Sequence, residues 1–299
     1  CVLTEGEMKV TISDEELAEH KVSEAHLQQT VDLIHNDGYV VLENVVPHYK
    51  LDLLRQKMLE DLQTLISATE KVMPINFVKG HIQQDAPTYA PYIFRGLVAN
   101  PFVTQVTHKV LGDGLYNSYF SGNTNLPGSG TQPVHVDGGQ LWQNLRVAHP
   151  VFSLVVNVAP LEVNEENGSV ELWPGSHSDI SVSRYDDIKV DLKCVKARRE
   201  FSPPVRGNTK KGAVLIRDIR LWHRGMPNYS NTPRQMVAMI HNVSWYRSGT
   251  KLQFEKGCES AFESEYLDSN AEFIDEPIDY IFRNHPYDYN EENNQVYDE

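Results

Sequence analysis

The chain has 299 residues, 40% hydrophobic, 23% charged and 9% aromatic, a profile that excludes a disordered or fibrous protein. Its net charge of −14 is concentrated at one end, since Glu255 to Glu299 hold 14 acidic residues against Lys256 and Arg283. The nearly neutral remainder offers no basic stripe for nucleic acid and, more mildly, disfavours a CoA-linked substrate. No run approaches the roughly 18 apolar residues of a membrane span.

The opening CVLTEGEMKVTISDEELAEH lacks the basic-then-apolar profile of a signal peptide. Cys1, Cys194 and Cys258 are scattered and odd in number, which supports neither a disulfide framework nor a CxxC zinc site. Both observations predict a reducing, cytoplasmic setting. Because the first residue is not Met, a further upstream segment is expected.

In chain order, residues 1–114 read as helix-rich. A helical stretch begins near a Ser13 N-cap, runs through SDEELAEHKVSEAHLQQTVDLIHNDG and stops at Asn36-Asp37-Gly38. YVVLENVV follows as a strand, and HYKLDLLRQKMLEDLQTLI as a second amphipathic helix. Over 115–247 the texture changes to short apolar or alternating runs broken by Gly, Pro and Asn: LYNSYFSG, VFSLVVNVAPL, GSVELWPGS, GAVLIRD and RQMVAMIHNVSW. This predicts a mainly β fold, an antiparallel sandwich or barrel of the jelly-roll type. Residues 248–299 read as an acidic extension, a docked helix followed by a loose tail, on a chain that forms one domain.

His-x-Asp occurs at His35, His135 and His177. His35 falls in the last turn of a helix and His177 follows a Pro-Gly turn, and both settings suit a structural histidine. In QPVHVDGGQLW, His135 and Asp137 point the same way if the segment is extended, and Gly138-Gly139 leave room beside them. That is the setting of an open metal site, and a two-histidine, one-carboxylate triad needs one more histidine. His223, near the end of GAVLIRDIRLWH, is the candidate.

Arg234 stands eleven residues later, and Arg234, Met236, Ala238 and Ile240 alternate onto one face of a strand. A charge aimed at an apolar interior requires an anion, either a structural carboxylate or a ligand's. Arg146 also lies eleven after His135, so the interval alone does not select Arg234.

His135-x-Asp137, then Asn167-Gly168-Ser169 leading into Trp173-Pro174-Gly175-Ser176-His177, then His223 and Arg234 with Asn228 and Ser230 between, resembles the phytanoyl-CoA dioxygenase superfamily of iron(II), 2-oxoglutarate-dependent oxygenases. HNDGYVVLENVVP resembles that family's entry segment, and the likeness spans about residues 25 to 247. The resemblance implies a double-stranded β-helix with N-terminal helices packed on the sheet. It implies iron(II) on His135, Asp137 and His223, and the distal carboxylate of 2-oxoglutarate on Arg234. Gln132 matches a further cosubstrate contact of fungal natural-product members.

The implied reaction uses O2 to oxidise a C–H bond of a small organic molecule, by hydroxylation, desaturation or rearrangement. A specialised metabolite such as a terpenoid or alkaloid intermediate is expected ahead of an acyl-CoA. An aspartate at 137 argues against halogenation, which in the wider class goes with a small residue there. Gln140, Trp142, Tyr119 and Asn123 are expected to line the substrate pocket. The competing readings are a phytanoyl-CoA-like acyl hydroxylase, a cupin-like metal isomerase and an inactive jelly-roll binding module. The helices and Tyr-rich tail could also build a homodimer interface.

Overall fold

A computed structural model describes residues 8–247 and 249–289. The chain begins with β1 (Lys9–Thr11), α1 (Asp14–Glu19) and α2 (Glu24–Asp37). Ser13 caps α1 through a reciprocal pair: its hydroxyl accepts from the Glu16 amide, and its own amide donates to the Glu16 carboxylate. The single helical stretch expected here is two helices. His20 adopts a left-handed conformation (φ 53°) that ends α1, and Ser23 caps α2 afresh. Helical periodicity alone cannot register such a break, because His-Lys-Val-Ser contains neither Gly nor Pro.

β2 (Tyr39–Glu43) and the 20-residue α3 (His48–Ser67) follow as the sequence predicts. Next come β3 (His81–Gln83), α4 (Arg95–Val98), α5 (Pro101–Leu111), β4 (Tyr116–Asn125), β5 (Ser153–Val158) and β6 (Glu171–Leu172). The remaining elements are α6 (Leu192–Phe201), β7 (Val205–Arg206), β8 (Val214–Asp218), β9 (His223–Arg224), β10 (Arg234–Asn242), β11 (Leu252–Glu255) and β12 (Ala271–Ile274). The docked helix expected after residue 248 is reduced, among the described residues, to a single 3-10 turn, Glu259–Phe262, whose Ala261 and Phe262 are buried in the main core. The stretch around it pairs β11 with β12 in parallel. The loose tail expected beyond it lies mostly outside the described residues.

Seven strands form one mixed sheet in the order β1-β2-β8-β5-β10-β4-β3, so the helix-rich first third supplies three of its strands. β7-β6-β9 form a smaller sheet. The extended segment around His135 joins its edge, since His135 and His223 exchange backbone hydrogen bonds of 2.9 Å in both directions.

One face of the large sheet carries the main apolar core, a continuous cluster running from Met8 through α2, α3 and α5 to Leu267. On β10, Val237 and Met239 are buried in that core. The intervening Arg234, Met236, Ala238 and Ile240 form the opposite face, as the alternation predicts, but that face lines a cavity rather than closed core. A second cluster, containing Val134, Val136, Trp173 and Trp222, supports the small sheet.

Candidate metal and cosubstrate site

The two sheets enclose a cavity of about 510 Å³. His135 and Asp137 reach it from the segment at the edge of the small sheet, and His223 from β9. The i, i+2 alternation expected of the pair holds, although pairing is limited to isolated bridges rather than a full strand. Ligating atoms of the three residues lie within 4.8 Å of one another, and His223 Nε2 is 3.5 Å from Asp137 Oδ1.

Both imidazoles are locked in the tautomer that a metal requires. His135 Nδ1 donates to the Pro133 carbonyl at 2.8 Å and His223 Nδ1 to the Leu221 carbonyl at 3.0 Å. Each Nε2 therefore keeps a free lone pair. Burial pushes the pKa of both histidines down, His223 well below the ordinary value, so both are neutral. Burial opposes ionisation of Asp137, but the charge and hydrogen bond of the Arg217 guanidinium outweigh it and hold the carboxyl far below the usual range. Asp137 keeps 32% of its side chain exposed, toward the cavity it lines. Two neutral imidazoles and a carboxylate on one side of an open space suit a divalent metal with free coordination positions.

Gly138 and Gly139 do not supply the room expected of them. A Cβ on Gly139 would stand 2.5 Å from the Ser183 carbonyl carbon, and one on Gly138 would stand 3.2 Å from Ile219 Cδ1. Gly139 admits the 182–183 backbone against the segment and Gly138 the Ile219 side chain, and the cavity is lined by Asp137 but by neither glycine.

Arg234 lies in the same cavity, 6% exposed, donating to the Gly168 carbonyl at 3.0 Å and Asn123 Oδ1 at 3.3 Å. Its Nε has no partner, and no carboxylate of the described residues pairs with it. Burial, then nearby Arg206, lowers its pKa to about 10. The competing Arg146 is exposed and takes no part in the cavity lining.

Gln132 lines the cavity while its Oε1 accepts from the Gly225 amide at 2.9 Å. Tyr119 and Asn123 line it from β4. Gln140 and Trp142 do not. Gln140 is 1% exposed and spends its amide on the His177 and Asp179 carbonyls and on Arg220, bracing a turn. Trp142 is 54% exposed and packs edge-on against His149. Both were expected at the pocket because they are near Asp137 in sequence, but the chain turns away at Gly138-Gly139. His177 is structural, donating from Nε2 to the His35 carbonyl at 3.1 Å.

Sequence reasoning missed Arg217, Asn157, His81, Phe77 and Tyr287. Arg217 was legible, because a lone charge alternating with Leu215 on β8 is the same signal that singled out Arg234. His81, whose pKa burial lowers to about 4, donates from Nε2 to the Gly130 carbonyl at 2.7 Å. Phe77 packs on His135 with ring centroids 4.7 Å apart, and Tyr287 packs on Phe77 at 5.3 Å. The acidic extension thus walls the cavity. Phe77 and Tyr287 are joined through a 2.9 Å backbone bond, and Asp288 pairs with Lys189 at 2.6 Å.

The family model for phytanoyl-CoA dioxygenase (PhyH) matches residues 34–236, more than half of the chain. The chain belongs to the phytanoyl-CoA dioxygenase family. Solved structures share its fold at low identity. The non-heme alpha ketoglutarate dependent carbocyclase SnoK from nogalamycin biosynthesis is 18% identical, with a TM-score of 0.53 over 74% of this chain and 84% of that one. AviO1 from Streptomyces viridochromogenes Tue57 is 17% identical, with a TM-score of 0.56 over 77% of this chain and 100% of that one. The epimerase SnoN, solved in complex with Fe3+, alpha ketoglutarate and nogalamycin RO, is 17% identical, with a TM-score of 0.55 over 74% and 85%. No described helix is long and apolar enough to cross a membrane.

Proposed function

We propose that this chain is an iron(II)- and 2-oxoglutarate-dependent oxygenase that oxidises a C–H bond of a small organic molecule of specialised metabolism. We read its two sheets as the halves of a double-stranded β-helix. The observation that carries the reading is a buried guanidinium without a carboxylate partner in the same cavity as a His-Asp-His cluster. A buried cation is costly until an anion joins it, and a dicarboxylate reaching from the cluster to Arg234 supplies one. A metal isomerase of the cupin kind would have no use for Arg234.

His135, Asp137 and His223 would hold iron(II). When bound, iron(II) with 2-oxoglutarate and O2 supplies the oxidant, with succinate and CO2 as co-products. The protein's own part is to keep both Nε2 atoms unprotonated, keep Asp137 ionised and fix the cosubstrate through Arg234. The wall made by Val155, Leu215, Met236, Ala238 and Ile240 excludes water and presents apolar surface to the prime substrate. A terpenoid or alkaloid skeleton with few polar groups suits that wall.

The test is anaerobic addition of iron(II) and 2-oxoglutarate, which should give a weak visible charge-transfer band. Succinate should form once air is admitted with a panel of such substrates. Asp137→Ala should lose both signals. A metal-replete protein with no band and no succinate overturns the reading.

A further inference from the structure

Asp137, Arg217 and Arg234 are the only Asp, Glu, Lys or Arg side chains among the described residues that line the cavity. Arg217 is paired with Asp137, and Arg234 is the one left for the distal carboxylate of 2-oxoglutarate. A carboxylate or phosphate on the prime substrate would be stripped of water there without a counter-charge, which is costly.

Hydrogen-bonding capacity is instead gathered on β3 and β4, where a fixed network sets its direction. Gln83 Oε1 accepts from Asn76 Nδ2 at 2.7 Å, so the amide turns both Nε2 hydrogens toward β4. They go to Ser121 Oγ at 2.7 Å and to the Tyr119 hydroxyl oxygen at 3.0 Å. Ser121 in turn donates to Asp85, whose other oxygen accepts from Arg283 Nε in the acidic extension. Gln83 and Ser121 thereby spend their hydrogens inside the network, while the Tyr119 hydroxyl has accepted one and keeps its own to give. Burial pushes the Tyr119 pKa up, and contact with Ser121 opposes this only in part, so the phenol stays protonated. Ser121 Oγ already accepts from Gln83 and donates to Asp85, which makes a ligand oxygen the better acceptor for the Tyr119 hydrogen. Tyr119 is 36% exposed, and it lines the cavity.

Register places this donor relative to the metal cluster. Tyr119 lies opposite Ile240, Ile240 opposite Val155, and Val155 opposite Arg217, whose guanidinium holds Asp137. One row across the sheet face thus ends on a phenol at β4 and on the partner of the metal cluster at β8. Three interstrand steps of about 4.8 Å make that row about 14 Å long. Only the aliphatic Ile240 and Val155 stand between its ends, and both line the cavity.

We propose that the prime substrate is an uncharged molecule whose apolar body lies on Val155 and Ile240 and whose carbonyl or hydroxyl oxygen accepts a hydrogen bond from the Tyr119 hydroxyl. This rests on the oxygenase reading above. Gln83 positions the phenol, and Tyr119 fixes how far along the row the body lies, and so which C–H bond comes to the metal end.

The probes are 2-decalone, an uncharged bicyclic ketone, and decahydronaphthalene-2-carboxylate, its anionic counterpart. Binding to the complex with iron(II) and 2-oxoglutarate is measured anaerobically, by the shift of the charge-transfer band and by calorimetry. Wild type should bind the ketone about tenfold or more tighter than the carboxylate. Tyr119→Phe removes only the hydroxyl and should weaken the ketone about tenfold, the worth of one hydrogen bond, with 2-oxoglutarate affinity intact. Equal ketone affinity in wild type and Tyr119→Phe, a preference for the carboxylate, or binding of neither probe overturns the subsite while the oxygenase reading stands. An iron(II)-loaded wild type that gives no band with 2-oxoglutarate overturns the oxygenase reading itself.

Discussion

Replacing Arg234 by Met separates a ligand-binding arginine from a structural one, because the two roles move stability and binding in opposite ways. In the free protein Arg234 is buried, with two neutral acceptors and no described carboxylate. Removing it deletes two hydrogen bonds of about 1 kcal/mol each and relieves the desolvation of a cation. The two effects nearly cancel, and Met fills similar length beside Met236. Unfolding free energy should therefore change by less than about 2 kcal/mol, whereas breaking a buried ion pair costs about 3–5 kcal/mol. Binding should behave differently. A charged hydrogen-bonded pair contributes about 1.5–3 kcal/mol, which is roughly 10- to 100-fold in 2-oxoglutarate affinity. Urea denaturation of the metal-free protein gives the first quantity, and anaerobic calorimetry with iron(II) and 2-oxoglutarate gives the second. A variant that loses 3–5 kcal/mol of stability with unchanged 2-oxoglutarate affinity would refute the reasoning.

Three further outcomes follow from packing and burial. Gly139→Ala should lower stability by about 1–3 kcal/mol, read from the urea midpoint, because the new methyl meets Ser183 backbone that must shift. Trp142→Ala, at an exposed position outside the cavity, should leave kcat/KM for the prime substrate within about twofold. His241, buried against Thr107 Oγ1 at 3.0 Å, has its pKa lowered to about 3 by desolvation. A depressed histidine contributes stability above its unfolded pKa of about 6.5 and loses it as pH falls toward the folded value. Wild type should therefore lose about 2 kcal/mol more than His241→Gln between pH 7 and pH 5, and parallel pH profiles of urea stability would contradict this.

The β-branched content of SLVVNV and GAVLIRD, the capping at Ser13 and the helix over residues 48–67 were legible because each depends on neighbours within one or two turns. The break at His20 was not, since nothing in His-Lys-Val-Ser is incompatible with a helix. The extension after residue 248 was misread for a related reason: β11 and β12 are each four residues long and gain their identity only by pairing with one another.

Sequence by itself determined which chemical groups this protein carries and their order along the chain, and alternation along β10 put Arg234 on the face shared by Met236, Ala238 and Ile240. Short-range geometry suffices there, because backbone dihedrals fix the direction of successive side chains. Only the tertiary structure decided that this face borders a cavity and that Arg146 is excluded from it. It also showed that Gln140 and Trp142 turn away, while Phe77 and Tyr287, 210 positions apart, meet over His135. Those outcomes depend on strand order and on the crossing of distant segments. Many residues settle them jointly, and no single stretch of sequence encodes them.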